Sequence, residues 1–342
     1  MLKKRRKIIF VLLILGGLLF IKISSSQIRK GLNEIKFKNF TLSNTLILGT
    51  GEDKNNTFNS PSAVGVDKKG NIYIVDKGNH RIQVFSNSGK YIRTIGRGGD
   101  VKFSFPRDLI LDDEDNIYVV NYDNRRIQIL SNEGKILNSF KVSFYPDQIV
   151  VDKTFIYLSV VLEGKHLIYK YSKNGKFISG FSKISKGIDF HNRVNLCFDS
   201  SGNLYLAYRF LPKVKKYSPE GELLMEFEYK PSIKNQQPPL KIITKKIEKR
   251  GRFFATGMVR GKTYPICYDI AVDGLGIIYL LVASDHKKDE ICTLYRFDPS
   301  GNLLEKAALP IPCGKIYIDT SNNFYFLSQV VNMLVYKYTP TQ

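Results

Sequence analysis

The 342-residue chain has no tryptophan and only four cysteines, four histidines and four methionines, whereas tyrosine and phenylalanine number 20 and 22. Its cysteines, Cys197, Cys267, Cys292 and Cys313, stand nowhere in a CxxC spacing, which removes the metal-ribbon and dithiol redox readings. No cysteine follows the apolar N-terminal run, so the bacterial lipoprotein route is excluded. There is no GxSxG, HExxH or phosphate-binding loop. Gly96-Arg97-Gly98-Gly99 is a turn after a strand, with no helix behind it to receive a nucleotide. Acid is also short: 31 Asp and Glu against 52 Lys and Arg leave a formal charge of +21. The apolar fraction of 43% and charged fraction of 24% are ordinary for a packed globular protein, which sets disorder aside for most of the chain.

What is present begins with a targeting pattern. Lys3 to Lys7 are all cationic, and Ile8 to Ile21 carry no charge before Lys22. A basic run before an apolar stretch inserts with its N-terminus in the cytoplasm. The stretch is short for a spanning helix, which takes roughly 17–25 residues. Ser24-Ser25-Ser26 would permit cleavage near Gln27. Residues 1–23 are therefore expected to be one hydrophobic helix, a signal anchor or a signal peptide. The expected location is the cell membrane, single-pass with the C-terminal domain outside the cytoplasm, or secreted or periplasmic after cleavage. An exported chain permits a disulfide, with Cys267–Cys313 the pairing to test first.

An internal repeat dominates the remainder. Phe58 to Lys90 reads as a strand ending at Asp67, a Lys-Lys-Gly-Asn turn, a strand containing Tyr73, a turn at Asp76–Asn79, then a third and a fourth strand. The aligned aspartates are Asp67, Asp112, Asp152, Asp199, Asp273 and Asp319, at separations of 45, 40, 47, 74 and 46 residues. Each is followed by a turn and an aromatic: Tyr73, Tyr118, Tyr157, Tyr205, Tyr279 and Tyr325. Four short antiparallel strands per unit of this length describe a propeller blade. A lone blade cannot bury both faces, so six must stack around an axis and close. The last unit is one strand short, and Thr45–Gly49 reads as the missing one. The expectation is an all-β, six-bladed β-propeller over residues 45–340, its N-terminal strand closing the last blade, with 24–44 as a tether.

Phe58-x-x-Pro61-x-x-Val64-x-Val66-Asp67-x-x-Gly70-Asn71-Ile72-Tyr73, followed by Asp76-x-x-Asn79-His80-Arg81-Ile82, resembles the NHL repeat. The unit from Phe105 to Lys135 resembles it too, with Asn121 in place of the second aspartate. The later four keep only the strand–turn skeleton. The resemblance implies the fold more than the function, since this family hosts unrelated activities. It is similar in organisation to the sensor propellers of membrane-anchored bacterial proteins.

Candidate sites follow from the ring. The strand-ending aspartates read as structural, each accepting bonds from amides two residues on; Asn79 and Arg81, with Asn124 and Arg126, read as inter-strand or inter-blade pairs, and His80 as a surface turn residue. Four residues before each aspartate the innermost strand begins, at one mouth of the central channel. Those positions hold Ala63, Asp108, Gln148, Asn195, Asp269 and Lys315, flanked by Arg107 and Asp147. The set reads as a polar plug, as a ligand-binding mouth, or as a metal site. Related six-bladed lactonases hold Ca²⁺ in such a place, but Lys315 competes for the same oxygens, so no metal or other cofactor is assigned. The related amidating lyase uses inner-strand histidines for zinc. Here His80, His166, His191 and His286 sit at different points of the repeat, none on an inner strand, and no catalytic residue is assigned. The 74-residue gap leaves an insertion at about 230–264 with ten cations against the single acid Glu248. Lys241, Lys245, Lys246, Lys249, Arg250 and Arg252 lie near its centre, where Leu240–Lys249 is expected to be a short helix. The expected function is extracytoplasmic binding or scaffolding, with a protein, glycan or anionic membrane or cell-wall surface as partner. A channel-mouth, metal-dependent hydrolase or lyase is the competing class. RNA binding, known for cytoplasmic NHL propellers, sits poorly with export.

Overall fold

The computed structural model describes in full residues 34–38, 40–50, 56–96, 98, 100–160, 165–182, 193–231, 265–284, 292–328 and 333–341. Of residues 10–14, 17–21, 183, 241–249 and 252–260 it describes the backbone alone.

Of six sheets, five run from an innermost to an outermost strand in chain order, and the sixth takes its outer strands from the N-terminal part of the chain. Blade 1 is Pro61–Val66, Ile72–Asp76, Arg81–Phe85 and Tyr91–Ile95. Blades 2 to 5 begin on the inner strands Pro106–Leu111, Pro146–Val151, Val194–Phe198 and Cys267–Val272. Blade 6 contains Lys315–Ile318, Phe324–Leu327 and Val335–Thr341. Its fourth strand is Thr41–Leu48, paired antiparallel from Val335 opposite Leu48 to Thr341 opposite Thr41. The N-terminal strand thus closes the ring as expected and covers an edge that would otherwise pair with other chains. A fifth strand, Glu34–Lys36, adds to it, within the stretch read from sequence as tether. It docks because Ile35 and Leu42 are buried and Phe37 stacks on Phe40 at 4.6 Å, with the Arg296 guanidinium of blade 5 over both rings.

The strands form where β-branched and aromatic residues run together, and nearly every middle-strand side chain is buried because blades cover both faces. Val75, Ile82 and Val84 of blade 1 pack with Leu109, Ile117, Val119 and Leu130 of blade 2. Each inner hairpin is locked by its aspartate. Asp67 Oδ1 accepts from the Lys69 and Asn71 amides at 3.0 and 2.7 Å, and the Tyr73 hydroxyl donates to Oδ2. Asp112, Asp152, Asp273 and Asp319 repeat this with Tyr118, Tyr157, Tyr279 and Tyr325. In blade 4 the Lys216 ammonium comes between the two, pairing with Asp199 at 3.0 Å and reaching the Tyr205 hydroxyl.

One expectation is corrected, and the permitted disulfide is absent. Leu240–Lys249 is not a helix along its described backbone: Lys241–Lys249 and Arg252–Arg260 form a nine-residue antiparallel hairpin. Ile242, Ile243, Thr244 and Ile247 on one side and Val259 and Phe254 on the other supply the strand-forming residues. Cys267 and Cys313 are not paired. All four cysteines are free; Cys313 adjoins Cys292, whose thiol donates to the Cys313 carbonyl at 3.1 Å, while the Cys267 thiol donates to the Asp269 carbonyl at 3.3 Å. The side chains of residues 1–23, read from sequence as a signal anchor or signal peptide, lie outside the described residues. Of its backbone, Phe10–Ile14 and Gly17–Ile21 are described as two paired strands. No described helix is long and apolar enough to cross a membrane.

Candidate functional site

The inner strands surround a channel of about 240 Å³. Its upper part is lined by Asp108, Gln148, Asp269 and Lys315, and its lower part by apolar side chains such as Leu111, Val151, Val272 and Ile318. The polar ring expected from the repeat is therefore formed, and its atoms have a definite task. Asp108 Oδ2 accepts from the Ile149 amide at 3.0 Å, Gln148 Oε1 from the Leu196 amide at 2.7 Å, and Asp269 Oδ2 from the Ile316 amide at 3.0 Å. Each of these side chains reaches from one blade to a backbone N–H of the next inner strand, which that strand cannot satisfy within its own sheet. Ala63 carries no such group, and Gly65 lets blade 2 approach so closely that a Cβ there would lie 2.6 and 2.7 Å from Leu111 and Leu109.

Electrostatics in the ring follow from burial and from Lys315. Burial pushes the Asp108 carboxyl up to about 6, against the pull of Lys315 and the Ile149 amide. Burial raises Asp269 as well, again opposed by Lys315, whose ammonium is 3.5 Å from Asp269 Oδ1. Burial alone would lower the Lys315 amine; Asp269 and Asp108 outweigh it and hold it above its ordinary value. The donor set does not suit Ca²⁺. One oxygen of each carboxylate is spent on a backbone amide, and a cation would have to displace Lys315 from the rest.

Above the ring lies a second cavity of about 100 Å³, whose walls include Lys77, Arg107, Asp147, Gln148, Asn195, Arg209 and Lys315. Arg107 Nε bonds Asp147 Oδ1 at 2.5 Å, and its guanidinium lies 4.7 Å over the Tyr122 ring. Arg209 Nη1 stands 4.0 Å from Asp147 Oδ2. Arg193 feels Asp147, Arg107 and Arg209. Sequence reading placed Arg107, Asp108, Asp147, Gln148, Asn195, Asp269 and Lys315 together at this mouth, and all seven line one or both cavities. It missed Lys77, Arg193 and Arg209, which lie outside the inner strands. Lys77 and Arg209 share a signal that superposing blades 1 and 4 would show: each stands ten residues after its blade's aspartate, just past the second strand. Of the insertion's cations, Lys241, Lys245, Lys246, Lys249 and Arg252 lie on the hairpin backbone, their side chains outside the described residues, and Arg250 lies outside them altogether.

The Asn79–Arg81 core is structural. Arg81 Nε bonds Asp76 Oδ2 at 2.7 Å in a pair with side-chain exposures of 2% and 0%. Asn79 Nδ2 and the Asn59 amide donate to the same carboxylate at 2.8 and 2.6 Å. In blade 2, Asn121 replaces the acid and takes the Ser104 amide and Gln128 instead, while Arg126 turns to Ser139. His80 is more than a surface turn residue. Its Nδ1 accepts from the Phe105 amide at 3.0 Å, tying blade 1 to the start of blade 2.

Ring, closing strand and polar channel together define a six-bladed β-propeller. Solved structures agree on that fold. The chain is similar to a catalytically inactive variant of virginiamycin B lyase from Staphylococcus aureus with quinupristin (12% identity, 99% of this chain and 97% of that one, TM-score 0.56). It is similar also to a gluconolactonase from Xanthomonas campestris (10%, 90% and 94%, 0.59) and to hydrazine synthase from Kuenenia stuttgartiensis (11%, 85% and 98%, 0.53). At such identities the likeness is one of fold. A comparison with curated proteins finds no match. Within the propeller, residues 58–85 match the NHL repeat, so the chain is an NHL-repeat-bearing six-bladed propeller.

Proposed function

We propose that the chain is an extracytoplasmic binding and scaffolding module. Its N-terminal segment holds it at or delivers it beyond the membrane. One face of the ring and the basic insertion contact a protein, a glycan or an anionic membrane or cell-wall surface. The observation that carries this reading is the use of the inner-strand polar groups. Asp108, Gln148 and Asp269, the groups a ring enzyme would need free for chemistry, are each engaged by an amide of the next blade, whereas the rim above them is cationic. A lactonase-like or lyase-like reaction at this mouth is the competing reading, and it asks for carboxylates that are not so engaged.

The insertion supplies the surface contact. Each Lys or Arg near an anionic surface contributes about 1 kcal/mol, and such attraction is screened by salt. Sedimentation of the purified full chain with phosphatidylserine-containing vesicles, against neutral ones, tests it. Binding that falls with salt, and falls further when 232–264 is replaced by a short linker, is the expected result. Equal binding with and without the insertion would remove it as a contact surface.

A further inference from the structure

Among the described residues, the rim gathers several buried polar atoms that make no hydrogen bond. Among the described residues, three buried donors at the mouth lack partners: Arg193 Nε, Arg209 Nε and Asn195 Nδ2. One buried acceptor, Asp147 Oδ2, also lacks one. The amide assignment follows from the backbone. Gln148 Oε1 takes the Leu196 N–H, so its NH₂ faces Asn195 and donates to Oδ1 at 3.2 Å, which leaves the Asn195 NH₂ as the unused end. Asn195 is 1% exposed and lines the rim cavity. Buried polar groups are normally satisfied, and unsatisfied ones gathered in one place mark where a ligand supplies the partner. Charge points the same way. Among the described residues, Lys77, Arg107, Arg193 and Arg209 share Asp147 as their acid at the rim, while Lys315 is matched chiefly by Asp269 and Asp108 below. Burial lowers both Arg193 and Lys77, with the neighbouring Arg107 adding to it, so an anion would relieve both.

Three donors and a surplus of cations call for an oxyanion, and guanidinium forks match carboxylate or phosphate geometry. The lone acceptor narrows the choice. Asp147 Oδ2 repels an oxyanion with no proton and accepts from one that keeps an O–H. A cavity of about 100 Å³ admits one small group, where drug-sized ligands fill about 300–1,000 Å³. We propose that the rim is a binding site for a protonated phosphate group, held from the cavity wall by Arg209, Asn195 and Lys77, with Arg193 adding positive charge behind them and the P–OH donated to Asp147. This deepens the reading of the ring as a binding module by naming the group its mouth takes. Inorganic phosphate and a phosphomonoester carry the same chemistry.

The test is calorimetric titration of the full chain at pH 6, where a phosphomonoester keeps about half of its second proton. Probes are inorganic phosphate, glycerol phosphate, sulfate and acetate. Saturable phosphate binding is expected, with sulfate and acetate weaker by at least about tenfold, or about 1.4 kcal/mol. That comparison needs no variant. Arg193→Gln and Arg209→Gln are each expected to weaken phosphate by about tenfold, and Asp147→Asn, which exchanges acceptor for donor, to bring sulfate level with phosphate. Lys77→Gln, in the half-buried turn after the second strand of blade 1, is expected to weaken phosphate as well. Glycerol phosphate matching inorganic phosphate assigns the site to a phosphorylated molecule, and its exclusion assigns it to the free ion; either supports the proposal. No saturable phosphate binding, equal sulfate binding by the unaltered chain, or unchanged affinity in both arginine variants would overturn it. If phosphate fails while vesicle binding through the insertion persists, the rim site falls and the binding module stands.

Discussion

Arg81→Met in blade 1 isolates the contribution of the repeat's most specific residues. The methionine keeps most of the aliphatic volume and removes the cation from Asp76. That carboxylate is wholly buried and retains only the Asn59 amide and the Asn79 side chain among its three donors. Removing one partner of a buried ion pair costs about 3–5 kcal/mol, because the other charge stays in the interior. At about 2–4 °C per kcal/mol for a chain of 150–250 residues, the melting temperature should fall by roughly 6–20 °C. Arg126→Met is the internal control. Blade 2 has Asn121 in place of the acid, and Arg126 only donates to Ser139, so its loss should cost about 1 kcal/mol or less. Urea unfolding followed by circular dichroism suits a chain without tryptophan. Equal losses for the two variants would refute the assignment of Arg81–Asp76 as the stabilising centre of the blade.

Further outcomes follow from the channel. Asp108→Asn can still accept from the Ile149 amide while shedding a carboxyl raised to about 6. A raised carboxyl binds its proton more tightly in the fold, so the unaltered chain should lose stability relative to the variant as pH rises from about 4 to 6. The gap then levels off, on the order of 3 kcal/mol; parallel stability curves across that window would contradict it. Gly65→Ala should destabilise by about 1–3 kcal/mol, because Leu109 and Leu111 occupy the space of the new Cβ, and a neutral effect in thermal unfolding would show the inner strands are looser than described.

The blades were readable because an aspartate, a turn and a tyrosine recur as one hydrogen-bonded unit, and each departure in sequence marks a departure in bonding, as Asn121 does. The closing strand was readable because blade 6 lacked one. The ring of polar residues was located by its offset from the aspartates, yet its task was not. Which side chain reaches the next blade's amide depends on how blades stack, and no single repeat carries that. Arg193, Arg209 and Lys77 escaped for a related reason, since a rim is assembled from connections of different blades. The 241–260 hairpin was misread because its lysines satisfy helix propensity one at a time, whereas the strand that pairs with them begins only at Arg252, beyond the stretch that was read as helix.

Elemental analysis of the purified chain tests the central claim, that the channel mouth binds through cations and committed carboxylates rather than through a metal. After dialysis against calcium- and zinc-containing buffer, then against neither, the account predicts no stoichiometric metal, and no difference between the unaltered chain and the Asp108→Ala, Asp269→Ala double variant. One equivalent of Ca²⁺ or Zn²⁺ retained by the first and lost from the second would contradict it.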